Sequence, residues 1–98
     1  MEIIIKKSSK KDKKLDAVID GKKTVSFGLS GASDYTLHKD PERKQRYIVR
    51  HKKNEDWTLS GIKTPGFYAR HVLWNKPTLK GSVDDLNKKY KSVHFVLK

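Results

Sequence analysis

The chain has no cysteine. That excludes a disulfide framework, a thiolate zinc site and a cysteine nucleophile together. It also lacks long hydrophobic runs: the longest, such as Ile3-Ile4-Ile5, are far short of the roughly 20 apolar residues that span a bilayer or of a signal-peptide core. The reading is a soluble protein that is neither secreted nor membrane-bound. Proline and glycine are few, at 3 and 6 residues, and no stretch of them reads as a linker, so no second module is expected. Acidic residues are scarce as well, 11 against 23 Lys and Arg. Hydrophobic residues make up 35% of the chain, below the usual share of about 45–50%, so the core must be small.

What is present is positive charge on a chain of single-domain length. The 98 residues carry a formal +12. A field of that strength draws polyanions and opposes compaction, and for a core this small, self-association or a partner would supply missing burial. The charge is spread: residues 1–30 hold 8 basic and 4 acidic residues, 31–60 hold 7 and 5, and 61–98 hold 8 and 2. There is no acidic body with a basic tail. The densest run, Lys6 to Lys14, has no apolar residue and separates two strand-like segments, which reads as a Lys-rich exposed loop.

The pattern predicts an α+β fold: a small antiparallel sheet of three N-terminal strands plus a C-terminal strand, packed with about three short helices. Ile3-Ile4-Ile5 is one strand, and Leu15, Ala17 and Ile19 alternate with polar residues up to the turn signal Asp20-Gly21. A two-residue loop there would split the apolar set between faces. An odd loop of three or five residues places Leu15, Ala17, Ile19, Val25 and Phe27 on one face. Val93, Phe95 and Leu97 alternate in the same way at the other end. Asp40-Pro41-Glu42 opens a helix that should run to about Lys53, and Thr64-Pro65 opens a shorter one to about Trp74. From Pro77-Thr78 onward, Leu79, Val83, Leu86 and Tyr90 make one apolar helical stripe.

On a helical wheel, Arg43, Arg46, Arg50 and Lys53 fall within about 80° of one another, and no acid lies between Arg43 and Lys53. Three of the chain's four arginines stand here, and the guanidinium fork suits phosphate better than an ammonium does. This stripe is the primary candidate for nucleic-acid contact, with Lys10, Lys11, Lys13 and Lys14 as an auxiliary arm and Arg70 and Lys76 flanking. Trp57, Tyr68 and Trp74, interleaved with cations, are candidates for base stacking. The four histidines have no metal-site spacing, and no metal or cofactor is expected. No phosphate-cradling glycine loop, nucleophile elbow or nuclease-like histidine pair is present, so the chain reads as a non-enzyme. A small metal-dependent nuclease would draw on Asp34, His38 and Asp40, with Asp84 and Asp85 as the other carboxylate pair able to hold a divalent metal.

The segments Asp34-Tyr35-Thr36-Leu37-His38-Lys39-Asp40, Arg50-His51-Lys52-Lys53-Asn54-Glu55-Asp56-Trp57 and Leu73-Trp74-Asn75-Lys76-Pro77-Thr78 carry a resemblance. Across Ser33 to Tyr90 the chain resembles a family of small basic proteins of uncharacterised function from large DNA viruses of algae and protists and from some phages. Tyr68 and His71 depart from it, standing where further tryptophans are expected. The resemblance implies a virion-associated protein, in the particle or in the nucleus or cytoplasm of an infected cell. Two partners follow from that setting: the genome, DNA ahead of RNA, bound through phosphate without strong sequence specificity, or acidic capsid or internal proteins cemented by a minor structural component.

Overall fold

A computed structural model describes residues 1–98. Strands β1 (Glu2–Lys7), β2 (Lys13–Ile19) and β3 (Lys23–Leu29) form a meander. Four short α-helices follow: α1 (Tyr35–His38), α2 (Pro41–His51), α3 (Pro65–Tyr68) and α4 (Leu79–Lys89). The chain then returns as β4 (His94–Leu97). The sheet order is β3-β2-β1-β4.

Alternation sets the register. Ala17 pairs with Val25 and Leu15 with Phe27, while Ile3 pairs with Ile19 on one side and Phe95 on the other. These residues share the face on which the helices lie. Ile62, Phe67, Tyr68, Val72, Leu73, Val83 and Leu86 meet them there and complete the core. The hairpin loop is the odd one, with three residues, Asp20 to Lys22, between the paired Ile19 and Lys23. Asp20 and Gly21 both take positive φ, the handedness that lets a tight turn follow the twist of its strands, and the Lys22 N–H donates to the Ile19 carbonyl at 3.0 Å.

β4 does lie beside β1, but parallel to it, so the sheet is mixed rather than antiparallel. Apolar alternation fixes which face a strand buries and says nothing of its direction, which is set by the helical crossover between β3 and β4. The lysine run is also not one loop. Lys6 and Lys7 belong to β1, Lys13 and Lys14 to β2, and only Ser8 to Asp12 turn between them. The Ser8 N–H donates to the Lys14 carbonyl, which ties the strands together up to that turn. Lysine density marks solvated side chains and does not mark irregular backbone.

The expected helix starts are present. Asp40 accepts from the Glu42 N–H, Thr64 from the Phe67 N–H and Thr78 from the Gly81 N–H. α2 ends at His51, which leaves Lys53 in the following turn. The segment from Pro65 is α-helical only to Tyr68 and continues as a π turn, Ala69–Leu73, in which the Trp74 N–H reaches back to the Ala69 carbonyl. That wider turn buries three successive side chains, His71, Val72 and Leu73. α1, capped by Asp34, and a 3₁₀ turn at Leu59–Gly61 complete the set; neither is long enough to carry a periodic signal.

Two polar arrangements, one half-buried and one buried, generate predictions. On the outward edge of β4, the Asn87 side chain donates to the Phe95 carbonyl at 2.9 Å and accepts from the Phe95 N–H at 2.8 Å. A side-chain amide thus occupies the place of a fifth strand. Asn87→Ala is expected to cost about 1–3 kcal/mol, the net worth of two hydrogen bonds, and to promote association as concentration rises. Urea unfolding and light scattering check this, and an unchanged midpoint would show the cap to be idle.

His71 is 5% exposed. One ring nitrogen, Nε2, lies 2.8 Å from the Trp57 carbonyl and so carries the proton, whereas Nδ1 is buried without a partner. Burial, which the hydrogen bond to Trp57 only partly offsets, lowers its pKa from 6.5 to about 4. The unfolded chain therefore takes up the proton first, so this stabilisation is complete above the unfolded value and is lost as pH falls toward the folded one. Stability should drop by about 2 kcal/mol between pH 7.5 and 5, and His71→Asn should flatten that slope. Urea midpoints at the two pH values decide it; equal midpoints for the parent chain would contradict the buried neutral ring.

Candidate nucleic-acid interface

The arginine stripe lies on a real helix face. Asp40 and Pro41 fix the start of α2, and from there Arg43, Arg46 and Arg50 are exposed on one side, with Lys53 exposed just beyond the helix end. Only Arg46 has an acidic neighbour, Glu42 at 3.9 Å, and both of those side chains are well exposed. Such a pair contributes little. Arg43, Arg50 and Lys53 make no ion pair, so their charge is directed at solvent.

An adjoining face of α2, i+4 from Arg43, holds the helix to the body. Tyr47 is 6% exposed, the one buried residue of α2. Its ring stacks on Trp74 with centroids 4.4 Å apart and planes 1° from parallel, and Trp57 lies 6.3 Å away at 15°. His51 packs on Tyr47 at 4.4 Å, and His38 on Trp74 at 5.2 Å. The Trp57 Nε1–H donates to Glu55.

The candidate stacking residues therefore have different fates. Tyr68 is fully buried between Phe27, at 5.4 Å, and Phe67, at 5.1 Å, so it has no face to offer a base. That corrects the expectation, and the reason is demand: with so few apolar residues, a central aromatic is needed in the core. Burial also raises the Tyr68 phenol above its usual range. Trp57 and Trp74 keep partial exposure, but Trp74 has Tyr47 and His38 against it, so a base would meet its edge unless one of them moved.

The auxiliary lysines divide likewise. Lys10 and Lys11 are exposed in the β1–β2 turn, and Lys13 is half-buried on β2. Lys14 is drawn inward to the buried carboxylate of Asp34, an ion pair whose lysine side chain is 18% exposed. Lys14 and Arg50 both line one cleft of about 470 Å³, together with Asp34, Tyr47, Glu55 and Trp74. The cleft joins the end of the arginine stripe to the sheet. Its charges are mixed, unlike the outer face of α2.

Arg70 and Lys76 lie elsewhere, with a cation that the sequence reading missed. Arg70 donates to the Trp74 carbonyl at 2.8 Å, and its guanidinium lies 5.6 Å from the Trp57 ring centroid. Lys44 donates to the Asn75 carbonyl at 2.7 Å. Lys44 sits about 100° from Arg43 on the wheel, outside the stripe, which is why periodicity did not single it out. Burial lowers the Lys44 ammonium pKa, and the charges of Arg70 and Lys76 push it further down.

Of the nuclease candidates, Asp34 and Asp40 act as helix caps, Asp84 pairs with Lys80 and Asp85 accepts from the Asn75 amide. His38 accepts the Asp40 N–H through Nδ1. No cluster of three or more metal-binding side chains is formed. No helix is long and apolar enough to cross a membrane.

Comparison with known proteins adds a family and no activity. No curated protein matches the chain, and no solved structure does. A family described as a family of unknown function (DUF5754) matches residues 3–51, which is half the chain and runs from β1 through the whole arginine helix. On that match, the chain belongs to the family of unknown function DUF5754.

Proposed function

We propose that this protein binds nucleic acid through its phosphate backbone, with little sequence preference and without catalysis. The observation that carries the reading is the outer face of α2, where Arg43, Arg46 and Arg50 stand together, exposed, with one weak acidic partner among them. Lys53 extends that face by a turn, and Lys10, Lys11 and Lys13 add a diffuse field from the β1–β2 hairpin. The arrangement has donors for phosphate, while among the aromatic candidates Tyr68 is buried, Trp74 has Tyr47 and His38 against it, and Trp57 is half-buried. Phosphate contact positions a nucleic acid, whereas base contact specifies it, so weak sequence preference follows. In the viral setting implied by the sequence resemblance, such a protein would lie against the genome.

A second reading has one observation in its favour. Leu29, Leu37 and Val49 are large apolar side chains more than 60% exposed, at 62%, 63% and 61%. They suit a minor structural protein that cements larger partners, with the charge directed at acidic protein surfaces.

Fluorescence anisotropy with single- and double-stranded DNA and RNA across about 50–300 mM salt tests the first reading. Four phosphate contacts on duplex DNA give a slope of log K against log salt near −3.6, at about 0.9 per contact. Replacing Arg43, Arg46 and Arg50 by glutamine should weaken binding and make the slope less steep by about 2.7. Unchanged binding in that variant would move the interface away from α2. Affinity no greater than for heparin would favour the structural reading.

A further inference from the structure

Lys44 and Arg70 are partly buried cations with no carboxylate in an ion pair with either. They come from different elements, α2 and the π turn, yet they meet consecutive carbonyls. Arg70 donates to Trp74 at 2.8 Å and Lys44 to Asn75 at 2.7 Å, and the next residue in the chain is Lys76. Each cation is held from behind by an aromatic ring: Lys44 lies 5.0 Å from the Tyr35 centroid and Arg70 lies 5.6 Å from that of Trp57.

Taking cations out of water without a counter-charge is unfavourable. The one carboxylate whose charge reaches both Lys44 and Arg70 is Asp85, and its side chain is engaged by the Asn75 amide at 2.9 Å. Burial first, and then the charges of Arg70 and Lys76, lower the Lys44 ammonium pKa, while Asp85 opposes them. Most of the donor capacity is unspent: one bond of the three an ammonium can donate, and one of the five a guanidinium can.

We propose that Lys44, Arg70 and Lys76 form a binding site for a phosphate-type oxyanion, gathered around the Trp74–Lys76 segment. A tetrahedral oxyanion accepts from several directions at once, which suits cations that α2, the π turn and the loop after it bring to one short segment: Lys44 and Arg70 through their bonds to its carbonyls, Lys76 as its last residue. Two sources share that chemistry. One is a phosphodiester of a bound strand, and to that extent the site rests on the nucleic-acid reading above; the other is free phosphate.

The test is a titration of the isotope-labelled full chain with inorganic phosphate against chloride at constant ionic strength, following the Arg70 Nε–H and the amides of Asn75 and Lys76 by NMR. Saturable shifts specific to phosphate are expected, with affinity lowered about tenfold in Lys44→Gln and in Lys76→Gln. Lys76 is exposed, so its variant leaves the packing alone. A short single-stranded oligonucleotide that reproduces the shifts and competes with phosphate identifies the phosphodiester source. Phosphate saturation that the oligonucleotide leaves untouched identifies free phosphate. Shifts identical in chloride, or unaltered in both variants, overturn the site and leave these cations as caps on the carbonyls after the π turn.

The two proposals fail separately. Oligonucleotide binding that depends on Arg43, Arg46 and Arg50, with no phosphate response at Arg70, removes this site and keeps the α2 interface. Saturable phosphate binding with no oligonucleotide binding does the reverse.

Discussion

The parallel contact between Tyr47 and Trp74 is what turns α2 from a basic peptide into part of a protein. An eleven-residue helix with one buried side chain would be marginal alone, since short isolated helices fail to offset the cost of nucleation. The stack supplies tertiary anchorage in its place. Trp57 arrives from the chain after α2 and Trp74 from the end of the π turn, so the same rings also bind the two halves of the helical layer together. With the inward face of α2 committed to aromatic contact, its exposed face carries the arginines, with Val49 and Gln45 beside them. That division between a sticky side and a charged side follows from the spacing of Lys44, Tyr47, Ile48 and His51 against Arg43, Arg46 and Arg50.

A chain of net +12 must also keep its few acids from neutralising what makes it attractive to anions. The aspartates do so by bonding to neutral donors. Burial alone would raise the carboxyl of Asp16, but the Ser26 and Ser8 hydroxyls, the Ser9 N–H and the charge of Lys6 hold it below its usual value. Ser60 and Thr58 do the same for Asp56, and Asn75 for Asp85. Asp40 is used as a cap. Only Asp34 takes a lysine into a buried pair, and the pairs Glu42–Arg46 and Lys80–Asp84 are exposed helical neighbours. Most basic side chains therefore remain uncompensated, and the surplus is directed outward.

Local chemistry was legible in the sequence and long-range geometry was not. Asp40-Pro41, Thr64-Pro65 and Thr78 announced their helices because a cap is a short-range bond between a side chain and the next turn. An odd loop of three or five residues for the hairpin followed from requiring Leu15, Ala17, Val25 and Phe27 to share a face, and the structure closes it with three. The direction of β4, the inward turn of Lys14 toward Asp34 and the burial of Tyr68 all depend on partners 20 or more residues away, for which no local pattern exists. The arginine stripe was readable because it is a property of one helix. The Lys44–Arg70–Lys76 cluster was not, because three elements must pack before its members are neighbours.

The pairing of β1 with β4 also has a temporal meaning. Ile3 and Ile5 are completely buried, yet one of the strands beside them comes from residues 94–97, the far side of nearly every other element. During biosynthesis the meander and the early helices emerge with that flank of the sheet open, and Asn87 has nothing to cap until Phe95 has docked. Contacts of such wide sequence separation are slow to form because the loop they close is entropically costly. For a chain so rich in lysine, the waiting is safer than it would be for a neutral one: mutual repulsion between nascent copies keeps the open flank of β1 from finding a substitute strand in a neighbour.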